Sequence, residues 1–229
     1  MKFSYTIKNK LMMNSNGKLL GVDPYNPLNL PLGVVRVRTN DGEAPIHTGQ
    51  ATYSSATLVP GTTDVYDVYS ISPDHCGLLL YNSTNVVEVL GADTSEMVHS
   101  YGMFRNCTAL SSVPLFDTSK VTNMAGMFAD CTSLTSAPLF DTENANNMQS
   151  MFLRCSSITS VPLYDTRNVI DMSTMFNGCV NVQSGALALY QQASSQAHTP
   201  GHTYTFTDCG INTETGSAEL AQIPSNWKE

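Results

Sequence analysis

No run of apolar residues in this chain approaches the ~18 that a membrane-spanning helix requires, so the sequence is read without membrane insertion. Basic residues are scarce too. Eleven Lys and Arg against nineteen Asp and Glu leave a formal charge of -8 over 229 residues. That excludes the basic face on which phosphate backbones bind, and with it a nucleic-acid partner. The chain has no G-x-S-x-G, no H-E-x-x-H, no phosphate-binding glycine loop and no Cys-His pair in a supporting context, and its histidines are scattered. These absences remove the usual signatures of nucleophilic, zinc-dependent and phosphoryl-transfer chemistry. The chain therefore reads as a non-enzyme, with a glycan hydrolase as a remote alternative that no residue supports. Cys and His do not recur at zinc-ligand spacing, so no metal and no cofactor are expected. The opening MKFSYTIKNKLMMNSNGK has lysines interrupting each apolar run, unlike the ~7–15-residue apolar core of a secretory leader.

What the chain does have is a 24-residue period between Asp93 and Leu187. DTSKVTNMAGMFADCTSLTSAPLF, starting at Asp117, has close copies starting at Asp93, Asp141 and Asp165. A fixed period of this length indicates stacked units whose neighbours bury one another's apolar faces. In the copy from Asp117, Met124, Met127, Phe128 and Cys131 fall at i, i+3, i+4 and i+7, which predicts a short helix with all four on one side. Asn123, Asn147 and Asp171 precede that stripe as candidate caps, with His99 the exception. Such helices are too short to persist alone, so stacking must stabilise them. Leu134, Ala137 and Leu139, with Leu110, Val113, Leu115 and Ile158, Val161, Leu163, predict a short strand of period two pairing in parallel with the next copy. Pro114, Pro138 and Pro162 restrict that pairing to two or three residues.

The expected fold class is therefore α/β: a leucine-rich-repeat-like solenoid of about four to five 24-residue turns, each a short helix plus a short parallel strand. A worn copy begins near Tyr69. Residues 1–31 form an amino-terminal docking arm, 32–92 a β-rich cap containing the degenerate first repeat, 93–188 the solenoid and 189–229 a carboxy-terminal cap with a helix over 186–197. VVRVRTNDG and ATYSSATLVPGTTDVYDVY, rich in Val, Thr and Tyr with Gly and Pro punctuation, predict the strands of the first cap.

Several columns of like residues are candidate sites. Phe116, Phe140 and Tyr164 follow the inward Leu, and strand alternation turns them outward as an aromatic binding strip; the alternative is a second apolar layer. Asp117, Asp141 and Asp165, with Asp93, form a carboxylate column on the partner-facing edge. Such a column could attract calcium, but a turn aspartate bonding its own backbone accounts for the recurrence without metal. Cys107, Cys131, Cys155 and Cys179 share one repeat position and read as a buried ladder of free thiols. The repeated methionines read as core. Asn82-Ser83-Thr84 and Asn106-Cys107-Thr108 fit the glycosylation pattern but lie one repeat apart, which favours turn chemistry. In the arm, Lys8, Lys10, Lys18 and Tyr25 are the candidate docking residues, in the one basic segment of an acidic chain.

The string LFDTSKVTNMAGMFADCTSLTSAPLFDT resembles the BspA-type leucine-rich repeats found in bacterial surface proteins and in proteins encoded by gut bacteriophages. The likeness covers roughly residues 89–187, and GALALYQQASSQA, FTDCG and ELAQIPSNW resemble the closing segment of phage-borne members. The resemblance implies a non-enzymatic recognition or adhesion solenoid displayed on a virion or cell surface. The expected function is that of a virion-associated tail or head-fibre accessory protein. Its arm would dock on virion proteins, and its repeat face would contact a host-surface protein or glycan. A bacterial cell-surface or secreted adhesin is the alternative, and a homo-oligomer is open to either.

Overall fold

A computed structural model describes residues 6–8, 11–13, 19–22, 28, 30–45 and 53–229. The chain is mixed α/β, with small antiparallel sheets and two α-helices among the described residues. In the first 22 residues β1 (Thr6–Lys8), β2 (Leu11–Met13) and β3 (Leu19–Val22) form an antiparallel three-stranded sheet in that order. A second sheet contains β4 (Val34–Thr39), β5 (Tyr53–Leu58), β6 (Val65–Ser70) and β7 (Val86–Ala92), ordered β5-β6-β4-β7 and antiparallel throughout. The central strand β4 alternates apolar and basic residues. Val35 and Val37 enter the core, while Arg36 and Arg38 pair with Asp67 at 2.6 Å and Asp64 at 3.1 Å.

β7 joins this sheet to the repeats. It lies 24 residues before 110–116, and Glu88 bridges Ser112 in parallel. Beyond it, one turn of chain recurs at 75–83, 99–107, 123–131, 147–155, 171–179 and 201–209. Successive copies are joined by parallel bridges His75–His99, His99–Asn123, Asn123–Asn147, Asn147–Asp171 and Asp171–Gly201. Within a copy the N–H groups divide their labour. Those of Met124, Gly126, Phe128 and Asp130 donate to carbonyls of the next copy, at Asn147, Gln149, Met151 and Leu153, over 2.7–2.9 Å. Those of Met127, Ala129 and Cys131 instead close turns onto Met124, Gly126 and Phe128.

This division corrects the expected repeat helix. An α-helix needs each N–H to reach the carbonyl four residues back, whereas alternate N–H groups here point along the stack. Residues such as Asn106, Asp130 and Arg154 take left-handed φ of 57–64°, which a helix of L-residues does not accommodate. A run of three-residue-offset turns still places i, i+3, i+4 and i+7 inward, so Met124, Met127, Phe128 and Cys131 are all buried. Asn123 and Asn147 accept from Ala125 and Gln149 N–H at 3.0 Å, and Asp171 from Ser173 at 2.8 Å; they close turns rather than cap helices. The expected parallel pairing after the turn is sparse, with bridges only at Glu88–Ser112 and Ser160–Ser184 in the described residues.

The core is a continuous column. Phe104, Phe128, Phe152 and Phe176 stack with centroids 5.2–5.4 Å apart, and Phe206 follows at 6.3 Å. Beside it, Cys107, Cys131, Cys155 and Cys179 each direct Sγ to a carbonyl 27 residues earlier at 3.0–3.1 Å. All six cysteines are free and buried. α1 (Ala186–Ser194) and α2 (Glu214–Gln222) flank the last copy, and a 3-10 turn (Ser225–Trp227) closes it. Trp227 lies over His202 at 4.2 Å and over Phe206 at 6.1 Å.

Candidate functional site

The residues expected to make an exposed aromatic strip are buried: Phe116 is 1% exposed, Phe140 4% and Tyr164 0%. Their neighbours Leu115, Leu139 and Leu163 are exposed instead, at 48%, 58% and 58%. Inside and outside are exchanged because this segment is not a regular strand. Phe140 N–H donates to Pro138 and Tyr164 N–H to Pro162, each closing a three-residue turn that throws the intervening Leu outward. Phe116 packs against Phe104 and Phe140, and Tyr164 against Phe152. The Tyr164 hydroxyl donates to the Pro138 carbonyl at 2.6 Å, and burial pushes its ionisation well above the usual phenol range. These three side chains form a second core layer and are inaccessible to a partner.

The aspartate column consists of turn residues. Oδ1 of Asp93, Asp117, Asp141 and Asp165 accepts the N–H two positions on, at 3.0–3.2 Å. The adjoining Thr94, Thr118 and Thr142 are buried, and each hydroxyl donates to the next copy's aspartate carbonyl at 2.8–2.9 Å. Asp-Thr is thus a corner joint, with the carboxylate fixing the turn and the hydroxyl tying it to its neighbour. Arg167 hydrogen-bonds Asp165 at 2.6 Å and holds its carboxyl below the usual range. Among the described residues no group of three or more His, Cys, Asp or Glu could hold a metal ion. Asn82 and Asn106 sit in left-handed turns, joined by a 2.7 Å side-chain hydrogen bond. Lys10, Lys18 and Tyr25 lie outside the described residues, and of Lys8 only its place in β1 is described.

A groove of about 250 Å³ opens on the turn side of the repeats, lined by Leu78, Tyr101, Gly102, Arg105, Asn123, Ala125, Gly126, Gln149 and Ser150. It exists because the copy at 123–131 carries Ala125 and Gly126 where its neighbours carry Tyr101 before and Gln149 and Ser150 after. Tyr101 is set by a close approach: a Cβ on Gly77 would lie 2.6 Å from its ring. His75 meets the same ring edge-on at 5.6 Å. Arg105 and Gln149 are exposed at the rim. The groove combines one aromatic face, one guanidinium and amide and hydroxyl groups, a set able to stack on and hydrogen-bond a polar ligand. Sequence reasoning missed it. The available signal was internal variation, since the Tyr101 and Arg105 columns change from copy to copy while the columns of Met127, Phe128 and Cys131 hold from 99–107 to 171–179.

The fold and this surface define a tandem-repeat protein whose copies bond edge to edge. Residues 79–188 match the family model described as "Mycoplasma protein of unknown function, DUF285". The match spans β7 and the copies from 99–107 to 171–179, and leaves the strands before β7, the last copy at 201–209 and the closing helix α2 outside. No curated protein and no solved structure matches the chain.

Proposed function

We propose that the chain is a non-enzymatic recognition and structural solenoid of the BspA-like kind, its turns piled coaxially, carried on a bacteriophage particle as a tail or head-fibre accessory. The observation that carries the solenoid reading is the unbroken row of parallel bridges from His75 to Gly201, one between each pair of neighbouring copies. In this reading residues 1–31 dock on virion proteins. The groove at Tyr101, Arg105 and Gln149 replaces the buried aromatic row as the contact for a host-surface glycan or protein. The test is to purify particles, probe them for the chain, and add back either the full chain or one lacking residues 1–27. Particle-bound full chain with an unbound truncation supports the reading. Its absence from particles refutes it.

A cell-surface or secreted adhesin is the second reading; the matched family is described from a cellular bacterium, with its function given as unknown. Recovery of the chain from the envelope or medium of cells without phage genes supports that one. In either setting, Tyr101→Ala with Arg105→Ala should lower capture of the ligand about tenfold, the loss of one or two good polar contacts.

A further inference from the structure

Four of the five arginines are paired with carboxylates: Arg36 with Asp67, Arg38 with Asp64, Arg154 with Asp130 and Arg167 with Asp165. Arg105 has no carboxylate partner among the described residues. It stands at the groove on the turn side, and no residue lining that groove is Asp or Glu, in a chain that has nineteen of them. The other polar groups there are biased towards donors. Asn123 Oδ1 is taken up by the Ala125 N–H at 3.0 Å, which leaves the two Nδ2 donors as the free end of that amide. Ser150 is occupied by Thr174, their hydroxyls 2.6 Å apart. The Gln149 side-chain amide is exposed and has no partner among the described residues. The floor is bare, since a Cβ on Gly126 would meet nothing closer than the Ala129 Cβ at 3.9 Å.

We propose, resting on the reading of this groove as a glycan contact, that its ligand is a carboxylated sugar, a uronic or sialic acid residue within a glycan. Arg105 carries five N–H donors in a planar fork, which matches a carboxylate through two parallel hydrogen bonds. One guanidinium balances one carboxylate. A phosphate monoester carries about -1.5 to -2 at neutral pH and would leave charge unbalanced beside an already acidic chain. Tyr101 supplies the flat face on which the C–H side of a pyranose ring packs, while the ring hydroxyls reach the amides of Asn123 and Gln149. The groove volume of about 250 Å³ lies just under the ~300–1,000 Å³ of sites for drug-sized ligands. It has room for one ring of a chain that continues into solvent. The net charge of -8 repels a polyanion, so the fit is to a single acidic residue in an otherwise neutral glycan. A neutral sugar would leave Arg105 unpaired.

The test is calorimetric titration of the full chain with sialyllactose and with lactose capped by glucuronic acid, each also as its carboxyl methyl ester, beside lactose and inorganic phosphate. One of the two acids should bind, with its ester and lactose weaker by about tenfold or more, the loss of a charge-assisted pair. Phosphate should not displace it. Arg105→Gln should remove the preference for acid over ester. Ala125→Gln places in the groove the side chain that Gln149 carries at this position one copy later, and should abolish binding with an unchanged melting temperature. Because the same column already accepts Tyr101 and Gln149, this variant decides the matter should Arg105→Gln not fold. Ester or lactose bound as tightly as the acid, and lost in Ala125→Gln, overturns the carboxylate assignment while the groove stands as a contact surface. Acid binding indifferent to Ala125→Gln overturns both. Equal binding of phosphate makes the groove a general anion site and overturns the assignment, as does a chain that takes up none of the sugars. In that last case the particle and capture experiments above still decide whether the groove meets a protein.

Discussion

Burial penalises a thiolate far more than a thiol, and all six cysteines of this chain are buried. Desolvation pushes Cys76 up to about 11 and Cys131 and Cys179 up to about 12, and drives Cys107, Cys155 and Cys209 upward as well. An unfolded thiol loses its proton near pH ~8.5, while the folded one keeps it. Between those values the folded state binds more protons, so this stability is fully present below about pH 8.5 and falls as pH rises. The slope should be about 1.4 kcal/mol per pH unit for each fully buried thiol. Urea unfolding at pH 7.5, 9 and 10 checks this; a stability that stays flat across the series contradicts it. At pH 8 the native chain should leave a thiol-specific reagent unreacted and consume it in denaturant. The exchange of Leu and Phe gives a second residue-level outcome. Phe140→Ala should cost about 3–5 kcal/mol as a core truncation, and Leu139→Ser should stay within about 1 kcal/mol as a surface change. Paired thermal melts read both.

At the scale of elements, the junction between the repeats and α1 depends on one backbone position. Gly185 has φ of 96°, and a Cβ there would lie 2.1 Å from the Val161 carbonyl oxygen. Gly185→Ala combines left-handed strain with a backbone clash and should cost about 2 kcal/mol or more. Loss of melting temperature, with far-UV circular dichroism retained at 20 °C, is the expected signature. The strands β4, β5 and β6 were legible in the sequence, since their Val, Thr and Tyr runs alternate between Gly and Pro stops, and so was α1. The repeat period was legible because stacking forces identical side chains into one column. The turn between columns was not, because a chain of tight turns and a short helix leave the same inward stripe. Leu139 and Phe140 were misassigned because period-two alternation holds only where φ and ψ stay extended, and Pro138 begins a turn. The last copy was hidden by a local insertion. Tyr204, Phe206, Asp208 and Cys209 repeat Gly126, Phe128, Asp130 and Cys131, but the spacing from the copy at 171–179 is 30 residues, with α1 in the gap. The groove was illegible in any single copy, because it arises from the difference between Ala125 and Gly126 and the larger residues on either side.

For the molecule as a whole, a stack of copies that bond only to their neighbours has stability that varies along its length. The copy at 123–131 is bonded on both sides, by donors from 100–106 and to acceptors at 147–153. The copy at 201–209 has the preceding copy on one side and its cover on the other, where Trp227 accepts the Phe206 N–H at 3.0 Å and shields its ring. Tyr190 of α1 meets Trp227 edge-on at 5.3 Å, so this one side chain links the helix, the closing turn and the phenylalanine column. Trp227→Ala should cost about 3–5 kcal/mol locally, as for other buried tryptophans. Nearest-neighbour coupling makes that loss graded. Amides 172–178, which donate to the copy at 201–207, should lose most hydrogen-exchange protection, amides 148–154 less, and amides 100–106 little. Peptide-resolved exchange by mass spectrometry measures the gradient directly. Equal loss from one end to the other would mean that the copies melt as a single cooperative unit and that neighbour-to-neighbour bonding does not set their stability.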